Sequence, residues 1–327
     1  MLETLDEKIM WTFNVFDSLD LNTSYQIAFS GGKDSHVLLG MYIEWLKSRK
    51  KPLNIKVVFA DTLLETQTIY SLIVHIEQIC NKLGIQCIRT VPDLKKSFWV
   101  LLFGLGYPVP DYKNRWCTSY LKIKPINKIE GTVITGTHLG ESSSRDRRLT
   151  SCGSTECGID KLTNTIEPLA IWRNCDIWDW IFLYSDKTLY DGVSSSLITT
   201  YNIAESSNGS MRMGCFLCPV ISIKTLQKQV EQNITTDIAL QVRNLLEELR
   251  NKPRIVSFKT QKSGAILVDA RREVWEKLKP LFPELLSNNW ITNYEIELIS
   301  NMIEKRTYPP TYKQEWIDFQ EKLLKAD

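Results

Sequence analysis

The segment from Tyr25 to Leu46 constrains this chain more tightly than any other. Tyr25-Gln26-Ile27-Ala28-Phe29 is a short β-branched and aromatic run that predicts a buried parallel strand. Ser30-Gly31-Gly32-Lys33-Asp34-Ser35 follows at once, and from His36 to Leu46 apolar residues recur at helical spacing. A strand, a glycine pair flanked by hydroxyls and a helix start together make an anion cradle. Glycines let the backbone turn and approach a ligand, while the first helical N–H groups and the helix dipole face the anion. Lys33 adds a point charge, and Ser30 and Ser35 add hydroxyl donors. The spacing is not that of the Walker A loop, which places four residues between its first Gly and the Gly-Lys pair. The cradle predicts a bound nucleotide.

The chain around it alternates. Asn54-Ile55-Lys56-Val57-Val58-Phe59-Ala60 reads as a second strand ending at Asp61-Thr62, Thr66 to Leu83 as a helix, and Gly84 to Val91 as a third strand. Such alternation predicts an α/β fold, a doubly wound parallel sheet with right-handed crossovers. Ligands of these sheets sit at the carboxyl ends of the strands. Ser30–Ser35 and Asp61–Thr62 both fall there, so they can face one ligand. Leu5, Ile9, Met10, Phe13 and Phe16 predict a helix ahead of the first strand. Helices are expected from Leu94 towards Pro110, over Ser119 to Ile129 and over Asp176 to Leu183; Thr132 to Thr137 is a fourth strand. The serine-rich tract from Ser142 to Asn164 reads as a loop, as does Thr188 to Gly214. Thr165 to Ala170 reads as a short strand or an extended entry to the helix that follows. The last hundred residues are mainly helical by pattern, with a hairpin expected around Ser263-Gly264 between Lys259 and Asp269.

Composition narrows the class of protein. A hydrophobic content of 43% with 24% charged residues is that of a soluble globular protein with a real core. Forty Lys and Arg against 38 Asp and Glu leave a net charge of +2, which neither demands nor excludes a nucleic-acid partner. The N-terminus lacks a signal-peptide layout, and no apolar run approaches the roughly 18–20 residues that span a membrane. A cytoplasmic protein without membrane contact is expected.

Eight cysteines in such a chain suggest metal or sulfur chemistry over a disulfide framework. Cys215-Phe216-Leu217-Cys218 is a Cys-x-x-Cys, able to grip one metal centre through both sulfurs. It has no second Cys-x-x-Cys to form a zinc ribbon with. Cys117, in an Arg-Trp-Cys-Thr turn, and Cys152 and Cys157, in the serine-rich tract, are the other candidates. Four thiolates from separate loops hold iron–sulfur clusters, so the expected ligands are Cys117, Cys215, Cys218 and one of Cys152 or Cys157, with Cys157 preferred. Structural zinc is the alternative. Cys80, Cys87 and Cys175 lie in helix or strand patterns and read as core residues.

Six sets of residues point to a family: Ser30–Ser35; Ala60-Asp61-Thr62-Leu63-Leu64-Glu65-Thr66; Arg115-Trp116-Cys117-Thr118 with Lys122-Ile123-Lys124-Pro125; Gly140-Glu141-Ser142 with Arg145; Pro168-Leu169-Ala170-Ile171-Trp172 with Asp176-Ile177-Trp178; and Arg212-Met213-Gly214-Cys215-Phe216-Leu217-Cys218. The first resembles the pyrophosphate loop (PP-loop) of the ATP pyrophosphatases, which split ATP between its α and β phosphates. Together they resemble the phosphoadenosine phosphosulfate reductase-like group, and within it the DndC and SspD type of sulfurtransferase of bacterial DNA phosphorothioation. The resemblance spans residues 25 to 220. It implies an adenine nucleotide alpha-hydrolase-like fold, with a PP-loop domain over 1–186 and a cysteine-containing loop and mainly helical region over 187–327. It further implies ATP pyrophosphatase activity with Mg²⁺, a 4Fe-4S cluster, a cysteine desulfurase as sulfur donor, DNA as final acceptor and other phosphorothioation subunits as partners.

On this reading Lys33 and the Gly31 and Gly32 amides hold the β and γ phosphates, with Ser30 and Ser35 adding hydrogen bonds. Asp34 either helps to hold Mg²⁺ or caps the helix. Asp61 either orients metal or ribose or caps its loop. Gly136 and Thr137 border the nucleotide, and Glu141, Arg145 and Arg148 either contact phosphate or form a solvated face. Lys122 and Lys124 stand near enough to Cys117 to meet a nucleotide or DNA phosphate. Glu156-Cys157-Gly158-Ile159-Asp160 is similar to the reactive-cysteine segment of phosphoadenosine phosphosulfate reductases, which keeps Cys157 open as a catalytic sulfur carrier alongside Lys33 and Asp34. Two other functions stay open: a phosphoadenosine or adenosine phosphosulfate reductase, and a non-catalytic nucleotide- and cluster-binding assembly subunit.

Overall fold

The computed structural model describes residues 4–49, 54–184, 201, 214–219, 221–256 and 263–326. They cluster into two units that interleave along the chain: Met1–Ala60, Thr68–Thr90 and Pro125–Gly214 form the first, and Asp61–Gln67, Val91–Lys124 and Cys215–Asp327 the second. The expected boundary at 186 and the expected loop from Thr188, except Tyr201 and Gly214, lie outside the described residues.

The first unit is built on one sheet. Its strands are β1 (Ser24–Phe29), β2 (Asn54–Ala60), β3 (Gln86–Thr90), β4 (Thr132–Ile134), β5 (Ile159–Asp160) and β6 (Thr165–Ile166), in the order β3-β2-β1-β4-β6-β5. All neighbours are parallel except β5, which pairs antiparallel with β6 at the edge. Phe29 lies opposite Phe59, and Ile27 opposite Ile134, so β1 is central and buried on most of its length. From β1 the chain winds one way to β2 and β3, then returns to lay β4 on the other side of β1. This reversal is the switch point at which doubly wound sheets bind ligands. It sits between the carboxyl ends of β1 and β4.

Helices cover the sheet: α1 (Leu5–Asp17), α2 (Lys33–Arg49), α3 (Gln67–Lys82), the single turn α4 (Lys124–Ile126), α5 (Ser143–Ser151), α6 (Ser154–Cys157) and α7 (Asn174–Tyr184). A reciprocal capping box between Thr4 and Glu7 starts α1. Phe16 packs on Tyr42 and Trp45 with ring centroids 5.8 and 5.7 Å apart, fixing α1 to α2. Lys8 and Asp176 form a buried ion pair at 2.6 Å, and Thr12 donates to the Pro168 carbonyl at 2.8 Å while accepting from Trp172 Nε1 at 3.0 Å. Buried polar groups are thus paired across elements far apart in sequence.

The tract Ser142–Asn164 departs from expectation. It holds α5, α6 and the edge strand β5, which pairs with β6 just beyond it, in place of a loop. Its helix α5 buries only Leu149, so no apolar stripe marks it, and its start is fixed by Ser142, whose side chain accepts from Arg145 N. Cys175, expected in the core, is exposed in the first turn of α7; Cys80 is buried and Cys87 half-buried.

The second unit is mainly helical. Helical turns over Leu94–Lys96, Val100–Gly104 and Thr118–Ile123 are followed by α8 (Ile223–Glu231), α9 (Asp237–Arg250), the hairpin β7 (Arg254–Val256) and β8 (Ser263–Ile266), α10 (Val268–Leu278), α11 (Phe282–Ser287), α12 (Asn293–Glu304) and α13 (Gln314–Ala326). Ser263 and Gly264 lie within β8, and residues 257–262 lie outside those described. Trp99, Phe103, Trp275, Trp290 and Phe216 fill its core, and Phe216 stacks on Trp290 at 4.0 Å. Arg271, fully buried, donates to the carbonyls of Phe103, Gly104 and Thr307. Among the described residues no helix is long and apolar enough to cross a membrane.

Gly40 on α2 has no room for a side chain, because a Cβ there meets Trp180 Cη2 at 2.2 Å. Gly40→Ala is expected to cost about 1–3 kcal/mol through overpacking against a rigid indole, measured by urea denaturation.

Candidate functional site

The chain between β1 and α2 forms a closed turn held by its own hydroxyls. Ser30 N donates to Ser35 Oγ at 3.3 Å, Ser35 Oγ donates to the Gly32 carbonyl at 2.8 Å, and Gly32 N donates to Ser30 Oγ at 3.4 Å. Gly31 sits at φ +77°, the left-handed region that glycine adopts without strain. The helix α2 then begins at Lys33, whose amide donates to the Tyr201 hydroxyl at 3.3 Å. That phenol oxygen occupies the place of an anion oxygen at the helix N-terminus. No sequence pattern pointed to Tyr201, which lies far from the loop along the chain.

The end of β4 closes against this turn. A Cβ at Gly136 would stand 2.8 Å from the Asp34 carbonyl oxygen, so only glycine allows the two backbones to meet. Two residues further on, buried His138 places Nε2 3.2 Å from Asp34 Oδ1, and its Nδ1 donates to the Leu139 carbonyl at 2.7 Å. Lys33 Nζ pairs with the same carboxylate. Burial pushes the Asp34 carboxyl up, but the hydrogen bond from His138 and the charge of Lys33 outweigh it and hold the group below its ordinary value. His36, buried against Phe29, has its pKa pushed down to about 3 by burial and is neutral at pH 7.

Asp34, His138 and Glu141 have donor atoms within 4.8 Å of one another. Glu141 pairs with Arg145 through Oε1, and its Oε2 is buried without a hydrogen-bond partner. Two carboxylates, one with an orphaned oxygen, fit a divalent cation that also takes phosphate oxygens. Arg148 is committed elsewhere: it binds Asp160 and Glu167, the latter at 2.6 Å, and so ties α5 to the hairpin. Nearby Leu139, Gly140, Asp146, Arg173, Asn174 and Cys175 line a cleft of about 500 Å³.

The cysteines divide between the units. Cys152 is buried, its thiol 3.0 Å from Ser154 Oγ, and Cys157 is exposed with its thiol directed to the carbonyls of Gly153 and Ile159; both belong to the first unit. Cys117, Cys215 and Cys218 belong to the second, with Asp61, Glu65 and Lys122. Asp61 is a loop cap: its Oδ1 accepts from Leu63 N at 2.8 Å, supporting a left-handed Leu63 at φ +62°. Thr62 Oγ1 donates to Glu65 Oε1 at 2.9 Å, and Lys122 Nζ stands 3.4 Å from the same oxygen.

These three thiols share one electrostatic environment. The Cys215 thiol is pushed well up, first by its hydrogen bond with Cys218 and by burial, then by the charges of Cys218 and Glu65, with Lys122 opposing. Burial pushes up Cys117, with Cys218 adding. Glu65, and after burial's opposing effect Cys215 and Cys218, hold the Lys122 ammonium above its ordinary value. Thiols held this high are protonated until a cation lowers them, which is what a metal centre does. Three thiols and a lysine counter-charge fit a metal centre, a zinc site or an iron–sulfur cluster alike. Lys122 lies in a widened π-helical turn, Thr118–Ile123, that begins immediately after Cys117.

The fold, the glycine cradle at its switch point and the thiol set define a PP-loop-like protein. Residues 24–221 match the phosphoadenosine phosphosulfate reductase domain family, more than half of the 327 residues, and the chain belongs to that family. It is similar to the uncharacterized protein MJ0973 of Methanocaldococcus jannaschii, 29% identical over 226 residues, 67% of this chain and 47% of that protein. The chain therefore spans about half the length of this curated relative. Among solved structures it is similar to the phosphoadenylyl-sulfate reductase from Candida auris in its phosphate complex, with a TM-score of 0.37, 13% identity, and 60% of this chain and 92% of that one covered. It is also similar to the U34-tRNA thiolase NcsA from Methanococcus maripaludis with its 4Fe-4S cluster, with a TM-score of 0.36, 13% identity, and coverage of 94% and 82%.

Two outcomes check this geometry. Gly136→Ala is expected to destabilise the chain by about 1–3 kcal/mol in urea unfolding, because backbone cannot yield to the new methyl. Asp34 has a folded pKa below its ordinary 3.8, so its contribution to stability is present above that value and lost as pH falls through the folded pKa. Asp34→Asn should therefore be less stable than wild type at pH 7, with the difference shrinking below pH 3.8 when urea midpoints are compared across pH.

Proposed function

We propose that the chain is an ATP-dependent sulfurtransferase that adenylates a DNA phosphate and delivers sulfur to it in phosphorothioate modification, with a cysteine desulfurase as donor and other phosphorothioation subunits as partners. The observation that carries this reading is one chain holding both a switch-point phosphate cradle and a lysine-neutralised thiol set. Lys33 and the first amides of α2 bind the β and γ phosphates, where Tyr201 now sits, and stabilise departing pyrophosphate. Asp34 and Glu141 hold Mg²⁺ against those phosphates. The acceptor oxygen forms a bond to the α phosphorus as the bond to pyrophosphate breaks. The outer sulfur of a carrier persulfide then attacks the activated phosphorus, AMP leaves with the oxygen, and a second thiol, supplied by a thiol reductant, breaks the S–S bond to free the phosphorothioate and leave a disulfide.

Cys117, Cys215 and Cys218 are the thiols of the cluster on this reading, and Lys122 offsets their charge. A bound 4Fe-4S cluster supplies a site at which sulfur is held and activated. Exposed Cys157 is the candidate carrier of persulfide sulfur. Its setting in Glu156-Cys157-Gly158-Ile159-Asp160 is the observation favouring the second reading, a phosphosulfate reductase, which releases sulfite with thioredoxin and leaves ATP intact.

The test is pyrophosphate release from ATP by anaerobically purified chain, read beside its ultraviolet–visible spectrum. Wild type should release pyrophosphate and be brown. Lys33→Ala should lower release at least ~100-fold, the scale of losing one preorganised charge, with iron unchanged. Cys215→Ser should lose iron. Wild-type release in Lys33→Ala, or zinc without iron in the wild type, overturns the proposal.

A further inference from the structure

Glu65 is a fully confined acidic group bridged to the Cys-x-x-Cys. Its side chain is fully buried at 0% exposure, and its two oxygens differ. Oε1 accepts from Thr62 Oγ1 at 2.9 Å and faces Lys122 Nζ at 3.4 Å. Oε2 is buried with no hydrogen-bond partner. A carboxylate oxygen removed from water and left unmatched is costly and is seldom retained without a partner that the polypeptide itself does not supply.

The backbone holds this residue against the Cys-x-x-Cys. Glu65 forms an antiparallel bridge with Cys215, Phe216 N donates to the Leu64 carbonyl at 2.9 Å, and Trp290 Nε1 donates to the Glu65 carbonyl at 2.9 Å. The Asp61–Leu63 turn fixes the approach of the segment from the other side. Glu65 is therefore as firmly placed as the sulfurs. Lys122 Nζ stands 3.4 Å from its carboxylate, a counter-charge in the same unit as the three thiols.

We propose that Glu65 is the fourth protein ligand of the metal centre held by Cys117, Cys215 and Cys218, coordinating through Oε2. This rests on the reading that the three thiols hold an iron–sulfur centre. A carboxylate carries the same charge as a thiolate, so it completes a four-ligand set without altering the net charge. Oxygen is the harder donor and binds iron less firmly than sulfur does. The iron at Glu65 is then the exchangeable corner, the position from which incoming sulfur can displace a protein ligand while the three thiolates keep the centre in place.

The test reconstitutes full-length wild type, Glu65→Gln and Glu65→Cys anaerobically with ferrous iron and sulfide, then measures iron per chain and electron paramagnetic resonance, with circular dichroism as the check on folding. Wild type should hold about four irons, Glu65→Gln about three with the resonance of a three-iron centre after mild oxidation, and Glu65→Cys about four with a spectrum altered from wild type. Glu65→Gln holding about four irons with the wild-type spectrum overturns the assignment while leaving the cluster reading intact. Should Glu65→Gln fail to fold, Glu65→Cys decides: an altered four-iron spectrum supports ligation at this position and an unaltered one overturns it. A folded wild type that takes up no metal overturns the cluster reading and this assignment together.

Discussion

The close approach of Gly136 to the Asp34 backbone is the constraint on which the first unit depends. The reversal of strand order puts the ends of β1 and β4 side by side, and the absence of a side chain at Gly136 lets them touch. Everything charged in the cradle follows from that contact. It places His138 within reach of Asp34, and Lys33 completes a three-member network around one carboxylate. Helix α2 is then aimed with its N–H groups at the same spot, so backbone dipole and side-chain charge converge where strand and helix meet.

The second unit solves a different problem, the burial of charge. Glu65, Arg243 and Arg271 are all buried, and each is tied to backbone or to a counter-charge. Arg243 donates to the carbonyls of Leu217 and Cys218, bracing the Cys-x-x-Cys segment from beneath. Arg271 braces the turn after Phe103 in the same manner. Burial lowers the pKa of both arginines, to about 10 for Arg271, so each remains a cation at neutral pH. These guanidinium groups order irregular backbone, leaving Lys122 as the ammonium that answers Glu65 and the thiols.

Much of this was legible in residue order. The strand–glycine–helix pattern at Ser30–Ser35 is local, and glycine at a left-handed turn and amides at a helix start act over a few residues; the cradle found in the fold is the one the pattern implies. The doubly wound sheet followed from alternation, because βαβ units have one handedness and one place for ligands. The helices of Ser143–Ser151 and Ser154–Cys157 are not legible in the sequence because they bury so little that no apolar period marks them. Cys175 was misplaced for a related reason: an apolar helix such as α7 does not declare which side of its first turn faces water.

By itself, then, the sequence determined the β1–α2 cradle, the parallel sheet, the family to which the chain belongs and the Cys-x-x-Cys at 215–218. Tertiary structure alone decided which side chains surround them. Tyr201 against Lys33, His138 against Asp34, and Glu65 and Lys122 among Cys117, Cys215 and Cys218 join residues distant in the chain. Such pairings carry no period and no fixed spacing. They are set by where packed elements bring buried groups together, and a buried polar group must find its partner in space, whatever its place in the chain.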